Sequence, residues 1–176
     1  MRIIAGKYRG KVLATFRGDA VRPTADRVKE SMFQILSPRL NGARVLDLFC
    51  GSGALGIECL SRGAEEVWFN DMSKESLKLL EKNLERVTEP RKITCDDFRG
   101  CLKRVSGKFD LIFSDPPYKE SYLEEILKIV SERGLLNEGG LVIHEGEREE
   151  QAPAGWRLAD LRRYGRTFIH FLEKEQ

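Results

Sequence analysis

From residue 43 onward the chain alternates strand-like and helix-like segments, and this alternation restricts its fold more than any other feature. Apolar or β-branched runs occur at Ala43–Phe49, Glu66–Asn70, Arg91–Cys95, Phe109–Ser114 and Gly140–His144. Helix-like segments lie between them: Ala54–Ser61, Lys74–Val87, a short one near Phe98–Val105, and Tyr122–Glu132. In the second of these, Leu77, Leu80, Leu84 and Val87 share one helical stripe. Val45-Leu46 and Leu111-Ile112-Phe113 are apolar without alternation, the pattern of parallel strands covered on both faces. The succession predicts an α/β fold with a doubly wound, mostly parallel sheet. Trp156–Tyr164 and Thr167–Phe171, about Gly165-Arg166, add a closing antiparallel hairpin. Ligands of such sheets bind beyond the carboxyl ends of the strands, so function is expected in the loops there.

Ahead of this domain, residues 1–40 read as an extension. Arg2–Ala5 and Lys11–Ala14 flank a glycine-containing turn and predict a short β-hairpin. A polar loop then ends in Arg22-Pro23-Thr24; Thr24 is expected to cap a helix whose buried face carries Val28, Met32, Ile35 and Leu36. The net charge of +2 conceals a split: residues 1–44 hold ten basic and three acidic side chains, the rest 20 basic and 25 acidic. A basic leading segment on an acidic body fits a polyanion partner; a merely solvated basic surface is the competing reading. No apolar run approaches the ~20 residues of a membrane span. The early basic residues do not form a signal peptide. Four cysteines without a CxxC pair, and only two histidines, indicate neither a zinc site nor a disulfide scaffold, and fit reduced thiols in a cytoplasmic chain. His144 and His170 are expected to be structural, as is Cys50. Glu145, Glu147, Glu149 and Glu150 read as a solvated edge.

The first strand runs into Asp47-Leu48-Phe49-Cys50-Gly51-Ser52-Gly53-Ala54-Leu55-Gly56, a G-x-G-x-x-G between strand and helix, with Asp71 twenty residues after Gly51. The spacing matches the dinucleotide fingerprint. A pyrophosphate, however, needs bare amides and no nearby anion. Asp47 at the strand exit suits a ligand with cationic or hydrogen-donating groups, such as the ammonium, sulfonium and ribose diol of S-adenosylmethionine. Asp71 is placed to accept the ribose hydroxyls, and Asp96-Asp97-Phe98 to meet the adenine. A nicotinamide cofactor, or a plain tight turn, remains open on these residues alone.

The fourth strand ends in Asp115-Pro116-Pro117-Tyr118. Two prolines cannot continue a central strand, so the chain leaves the sheet there. A carboxylate and an aromatic ring then stand at the carboxyl edge on a stiff loop. The arrangement suits a planar exocyclic amine, whose lone pair is delocalised into its ring. Asp115 and a proline carbonyl accept its N–H groups and draw the nitrogen toward tetrahedral geometry, while Tyr118 offers a stacking face. In-line placement of donor and acceptor then supplies much of the catalysis.

These two motifs resemble those of Rossmann-like S-adenosylmethionine-dependent amino-methyltransferases. The opening Met1-Arg2-Ile3-Ile4-Ala5-Gly6 with Arg9-Gly10, the segment Arg22–Glu30 leading to Phe33 and Leu36, and the closing Tyr164-Gly165 are similar to the bacterial small-subunit (16S) ribosomal RNA guanine-N2 methyltransferase family. That resemblance implies methyl transfer from S-adenosylmethionine, without a metal, to the 2-amino group of one guanine in 16S rRNA. It implies a monomer acting on the small subunit or its assembly intermediate, with residues 41–176 as the methyltransferase domain. Its implied sites are catalytic Asp115, Pro116, Pro117 and Tyr118, and cofactor-binding Asp47, Phe49, Gly51, Gly53, Asp71, Met72, Asp96, Asp97 and Phe98. Lys7, Arg9, Lys11, Arg22, Thr24 and Arg27 are the implied RNA contacts. Cys95-Asp96-Asp97 and Asn70-Asp71 depart from the usual pattern, leaving open which of Asp96 and Asp97 meets adenine. Rival readings are an amino-methyltransferase of adenine in DNA or another RNA, or of a protein glutamine; a nicotinamide dehydrogenase; and a non-catalytic RNA-binding assembly factor.

Overall fold

The apolar runs lie side by side. In a computed structural model that describes residues 1–17, 23–117 and 121–176, they form the strands β1 (Arg44–Asp47), β2 (Glu66–Asn70), β3 (Arg91–Thr94), β4 (Phe109–Ser114), β5 (Leu136–Gly146), β6 (Trp156–Tyr164) and β7 (Thr167–Lys174). These make one sheet in the order β3-β2-β1-β4-β5-β7-β6. The first five are parallel; β7 pairs antiparallel with both β5 and β6. β5 is longer than its predicted core, extending back past a register shift to Leu136.

Helices cover both faces. α1 (Pro23–Leu36), α2 (Ala54–Ser61) and α3 (Lys74–Asn83) place Phe33, Leu36, Ile57 and Leu80 against Val45, Phe69 and Phe113. α4 (Phe98–Arg104) and α5 (Leu123–Arg133) bury Leu102, Ile126 and Val130 against Leu46 and Ile112 on the other face. Each such side chain taken from water contributes roughly 1.5–3 kcal/mol. Local chemistry sets the helix ends: Ser73 accepts the Ser76 amide to start α3, and Gly134 closes α5 in the left-handed region. Thr24 does not precede α1; the helix already starts at Pro23, whose fixed φ suits a first helical position.

The expected N-terminal hairpin forms: Arg2 bridges Val12 antiparallel, and the amides of Ile3, Leu13 and Gly10 donate to the carbonyls of Lys11, Met1 and Ile3 (2.9, 2.9 and 2.8 Å). It is short because a competing acceptor takes the next two amides. The amides of Ile4 and Ala5 bond the carboxylate of Glu58 (3.0 and 3.1 Å) on α2 instead of a partner strand. Glu58 is fully buried and also pairs with Lys29 (3.0 Å) and Arg62 (2.8 Å). Its cationic partners hold its pKa down against burial, whereas burial dominates at Lys29 and lowers that pKa. Breaking one side of such a pair costs about 3–5 kcal/mol. Gly6 (φ +86°) lies so close to Ser61 that a Cβ would stand 1.9 Å from its carbonyl oxygen. Ile3 and Leu13 join the same core as α1 and α2.

Candidate active site

Two groups of carboxylates stand at the carboxyl edge of the sheet. The first belongs to the glycine loop. Gly53 (φ +86°) turns the chain into α2, and a Cβ there would lie 2.3 Å from Leu80 Cδ1. The Gly51 amide donates to Asp71 Oδ2 (2.9 Å), the Gly53 amide to the Cys50 carbonyl (2.7 Å) and the Gly56 amide to Asp47 Oδ2 (3.1 Å). These are amides a dinucleotide's pyrophosphate requires, and the protein's own oxygens already occupy them. The loop therefore fits a ligand bound by acceptors, not an anion. Space above Gly51 is open, Met72 beside it is 64% exposed, and Phe49 and Phe98 pack with Tyr122 along the neighbouring wall.

Asp47 lies deep under the loop. It is only 2% exposed, and burial pushes its pKa up to about 7, with Asp71 adding and the Gly56 amide opposing. It supports the loop from beneath and does not present its carboxylate at the surface. Asp71 also accepts the Ser73 amide (2.9 Å), so both its oxygens brace the backbone, each retaining a lone pair for a hydroxyl. Asp96 and Asp97 diverge: Asp96 turns back over α4 to Arg104 (3.1 Å), while Asp97, exposed, caps α4 through the Gly100 amide (2.6 Å). Of the two, Asp97 is the one open to a ligand. Burial raises the Cys50 thiol far above neutrality, which removes it as a nucleophile.

The second group lies beyond β4 and β5. A cavity of about 540 Å³ is lined by Asp115, Pro116, Pro117, Glu145, Arg148 and Thr167 among others. Asp115 is open to it yet surrounded by protein and by two further acids, Glu145 and Asp47, and its pKa is raised accordingly. Glu145 is half-buried inside β5, not on a solvated edge, because β5 runs to Gly146. Sequence reasoning missed it; the signal was the apolar run leading straight into it. No described residue donates a hydrogen bond to either carboxylate. A larger cavity, about 640 Å³, lies at the opposite edge between Leu136–Gly140 and the C-terminal residues, away from both motifs.

A polar network lies behind Asp115. Ser114 Oγ stands 3.0 Å from His144 Nδ1, His144 Nε2 lies 3.5 Å from Glu150 Oε1, and Ser121 donates to Glu150 Oε2 (2.6 Å). Ser114 directly precedes Asp115, so one chain of contacts links the end of β4 to Glu150 and Ser121. The Glu150 amide donates to His170 Nε2 (2.9 Å), which leaves the proton on Nδ1, facing the His144 carbonyl (3.2 Å). His170 is thereby a neutral structural histidine, and burial lowers His144 to about 4.

The implied RNA contacts are not brought together. Lys7 bonds Glu89 (2.8 Å) and Lys11 the Glu85 carbonyl (2.7 Å), both just before β3 and hence at the amino edge, away from Asp115. Arg9 is exposed on the turn between them, and Arg27 is exposed near the start of α1. Arg22 and Tyr118, and the side chain of Thr24, lie outside the described residues. At the carboxyl edge, Arg148 lines the cavity, and Arg163 and Arg166 flank the β6–β7 turn, which pairs next to Gly146 through Phe168. Ser31 of α1 touches Tyr164 of that turn, so Arg27, one helical turn earlier, stands on the same side.

Comparison with known proteins agrees with this geometry. The family described as Conserved hypothetical protein 95 matches residues 1–173. The chain is 34% identical over 165 residues to "Ribosomal RNA small subunit methyltransferase D" of Haemophilus influenzae, covering 90% of this chain and 86% of that one. It is 32% identical to the protein of the same name from Escherichia coli, covering 99% and 90%. The solved structure of Escherichia coli yhhF superposes with a TM-score of 0.88 at 32% identity, over 99% of this chain and 98% of that one.

Proposed function

Because the chain belongs to the Conserved hypothetical protein 95 family, together with the small-subunit rRNA methyltransferases D, we propose that it methylates the exocyclic 2-amino group of one guanine in 16S rRNA. The observation that carries this reading is Asp115, a carboxylate to which no described residue donates, followed by two prolines and facing a cavity beside a glycine loop whose amides are already satisfied. S-adenosylmethionine, when bound, supplies an activated methyl on a sulfonium. Gly51 and Gly53 let the backbone approach it, Asp71 accepts its ribose hydroxyls, and Asp97, Phe98, Phe49 and Met72 border its adenine.

The chain's own residues do the rest. Asp115 and a carbonyl of the Pro116–Pro117 pair accept the amine hydrogens and free the nitrogen lone pair. Desolvation, with the added charge of Glu145 and Asp47, raises the Asp115 pKa and makes it a stronger acceptor, suited to take the proton as the new N–C bond forms. The Ser114–His144–Glu150–Ser121 network backs Asp115 so that the amine is held in one place. Arg148, Arg163 and Arg166 hold phosphates beside a base turned out of its stack. The reaction needs no metal, and the protein works as a cytoplasmic monomer.

Nucleoside mass spectrometry of 16S rRNA from cells with and without this protein tests the reading. The expected result is loss of one N2-methylguanine, restored by purified protein with S-adenosylmethionine. An unchanged modification map overturns it.

A further inference from the structure

Asp115 has a neighbour that the transfer step leaves unused. In the parallel pairing of β4 and β5, Phe113 stands opposite Ile143 and Ser114 opposite His144. Side chains alternate along a strand, so Glu145 repeats the face of Ile143, and Asp115, the residue after the last pair, continues the face of Phe113. Asp47, paired with Phe113 from the other side, shares that face. The register therefore sets Asp115 and Glu145 side by side on one wall of the cavity, with Asp47 buried behind them. Glu145 is half-buried and accepts no hydrogen bond from any described residue, unlike Asp47 and Asp71 in the glycine loop. A partly desolvated carboxylate without a donor is costly unless a ligand brings one.

We propose that Glu145 is the specificity-determining residue that accepts the ring N1–H of the target base beside the 2-amine held by Asp115. The inference rests on the guanine-amine reading above and names how guanine is chosen. Guanine presents two adjacent donors on that edge, N1–H and the 2-amine, and two adjacent acceptors match them. Adenine presents a lone pair at N1 and no amine at C2, so Glu145 would face an acceptor. A site built around a hydrogen bond rejects an analogue lacking the donor far more strongly than an apolar pocket does. Accepting N1–H also places electron density on N1, which C2 shares with the amine, so the same contact favours the nucleophile.

The test compares guanine with 2-aminopurine, which keeps the 2-amine and lacks N1–H, at the modified position of a splint-ligated 16S rRNA. Wild-type protein is expected to prefer guanine by roughly 10⁴-fold in kcat/KM, the scale of a site built to hydrogen-bond its substrate. Glu145→Gln, whose amide donates as well as accepts, should reduce that preference below about ten-fold, with S-adenosylmethionine affinity by calorimetry unchanged. A preference unaltered in Glu145→Gln, or a change confined to cofactor affinity, overturns the assignment. Wild-type protein that uses both bases equally also overturns it, whatever the variant's folding. If the wild type forms no N2-methylguanine at all, the functional reading fails first and takes this inference with it; the mass of the product nucleoside tells the two failures apart.

Discussion

The two halves of the carboxyl edge treat their carboxylates in opposite ways. In the β1–β3 half, Asp47, Asp71 and Asp97 accept amides of the Gly51–Gly56 loop, the Ser73 turn and α4. In the β4–β5 half, Asp115 and Glu145 accept nothing from the described residues and face a cavity. In the first half these three carboxylates are satisfied before any ligand arrives, and only Asp96 Oδ2, paired by charge with Arg104, is buried there without a described hydrogen-bond donor. The second holds unmet acceptors, the condition in which a carboxylate binds or deprotonates a substrate. The proposed function divides binding and reaction between these neighbouring strand ends, and substitutions should separate them.

The largest effect is expected at Asp115. Asp115→Ala should lower kcat for methyl transfer by about 10²–10³-fold, the scale seen when one hydrogen-bonding group at a reacting centre is removed. Calorimetry should find S-adenosylmethionine affinity unchanged, since the residue sits outside the glycine loop. Loss of cofactor binding in this variant would break the division between the halves. Gly53→Ala should do the reverse. Its φ of +86° and the 2.3 Å approach to buried Leu80 force strain into the loop, costing about 1–3 kcal/mol in urea unfolding. Cofactor affinity should fall, while kcat at saturating S-adenosylmethionine stays near wild type.

A smaller effect sharpens the role of the network behind Asp115. Burial lowers the His144 pKa from 6.5 to about 4, so between these values the unfolded chain binds a proton that the folded chain does not. Stability is therefore present above pH 6.5 and declines as the pH falls toward 4, with a slope of at most about 1.4 kcal/mol per pH unit from this group. His144→Gln should flatten that part of the stability–pH curve, measured by denaturant midpoints. An unchanged slope would mean that other groups govern acid unfolding.

Much of this was legible in the sequence, for reasons that can be named. α2 at Ala54–Ser61, β2 at Glu66–Asn70 and β4 at Phe109–Ser114 begin and end where composition changes abruptly at glycine, proline or a capping residue. The glycine loop and Asp115–Pro117 depend only on neighbours along the chain. The errors have other causes. The Thr24 cap is displaced because α1 already starts at Pro23, and the hairpin at residues 2–14 is kept short by Glu58, more than fifty residues away. Glu145 appeared to follow a strand because the pairing that extends β5 to Gly146 comes from β7.

The sequence by itself determined the order of strands and helices, the glycine turn after β1 and the exit of the chain from the sheet at Asp115-Pro116-Pro117. Each is written in contiguous residues through periodicity, backbone restriction and side-chain chemistry. Tertiary structure alone decided which carboxylates are satisfied, which cations share their edge, and that Glu145 stands beside Asp115. Those outcomes depend on strand register and on burial, and both are set by residues distant in the chain that compete for the same hydrogen bonds.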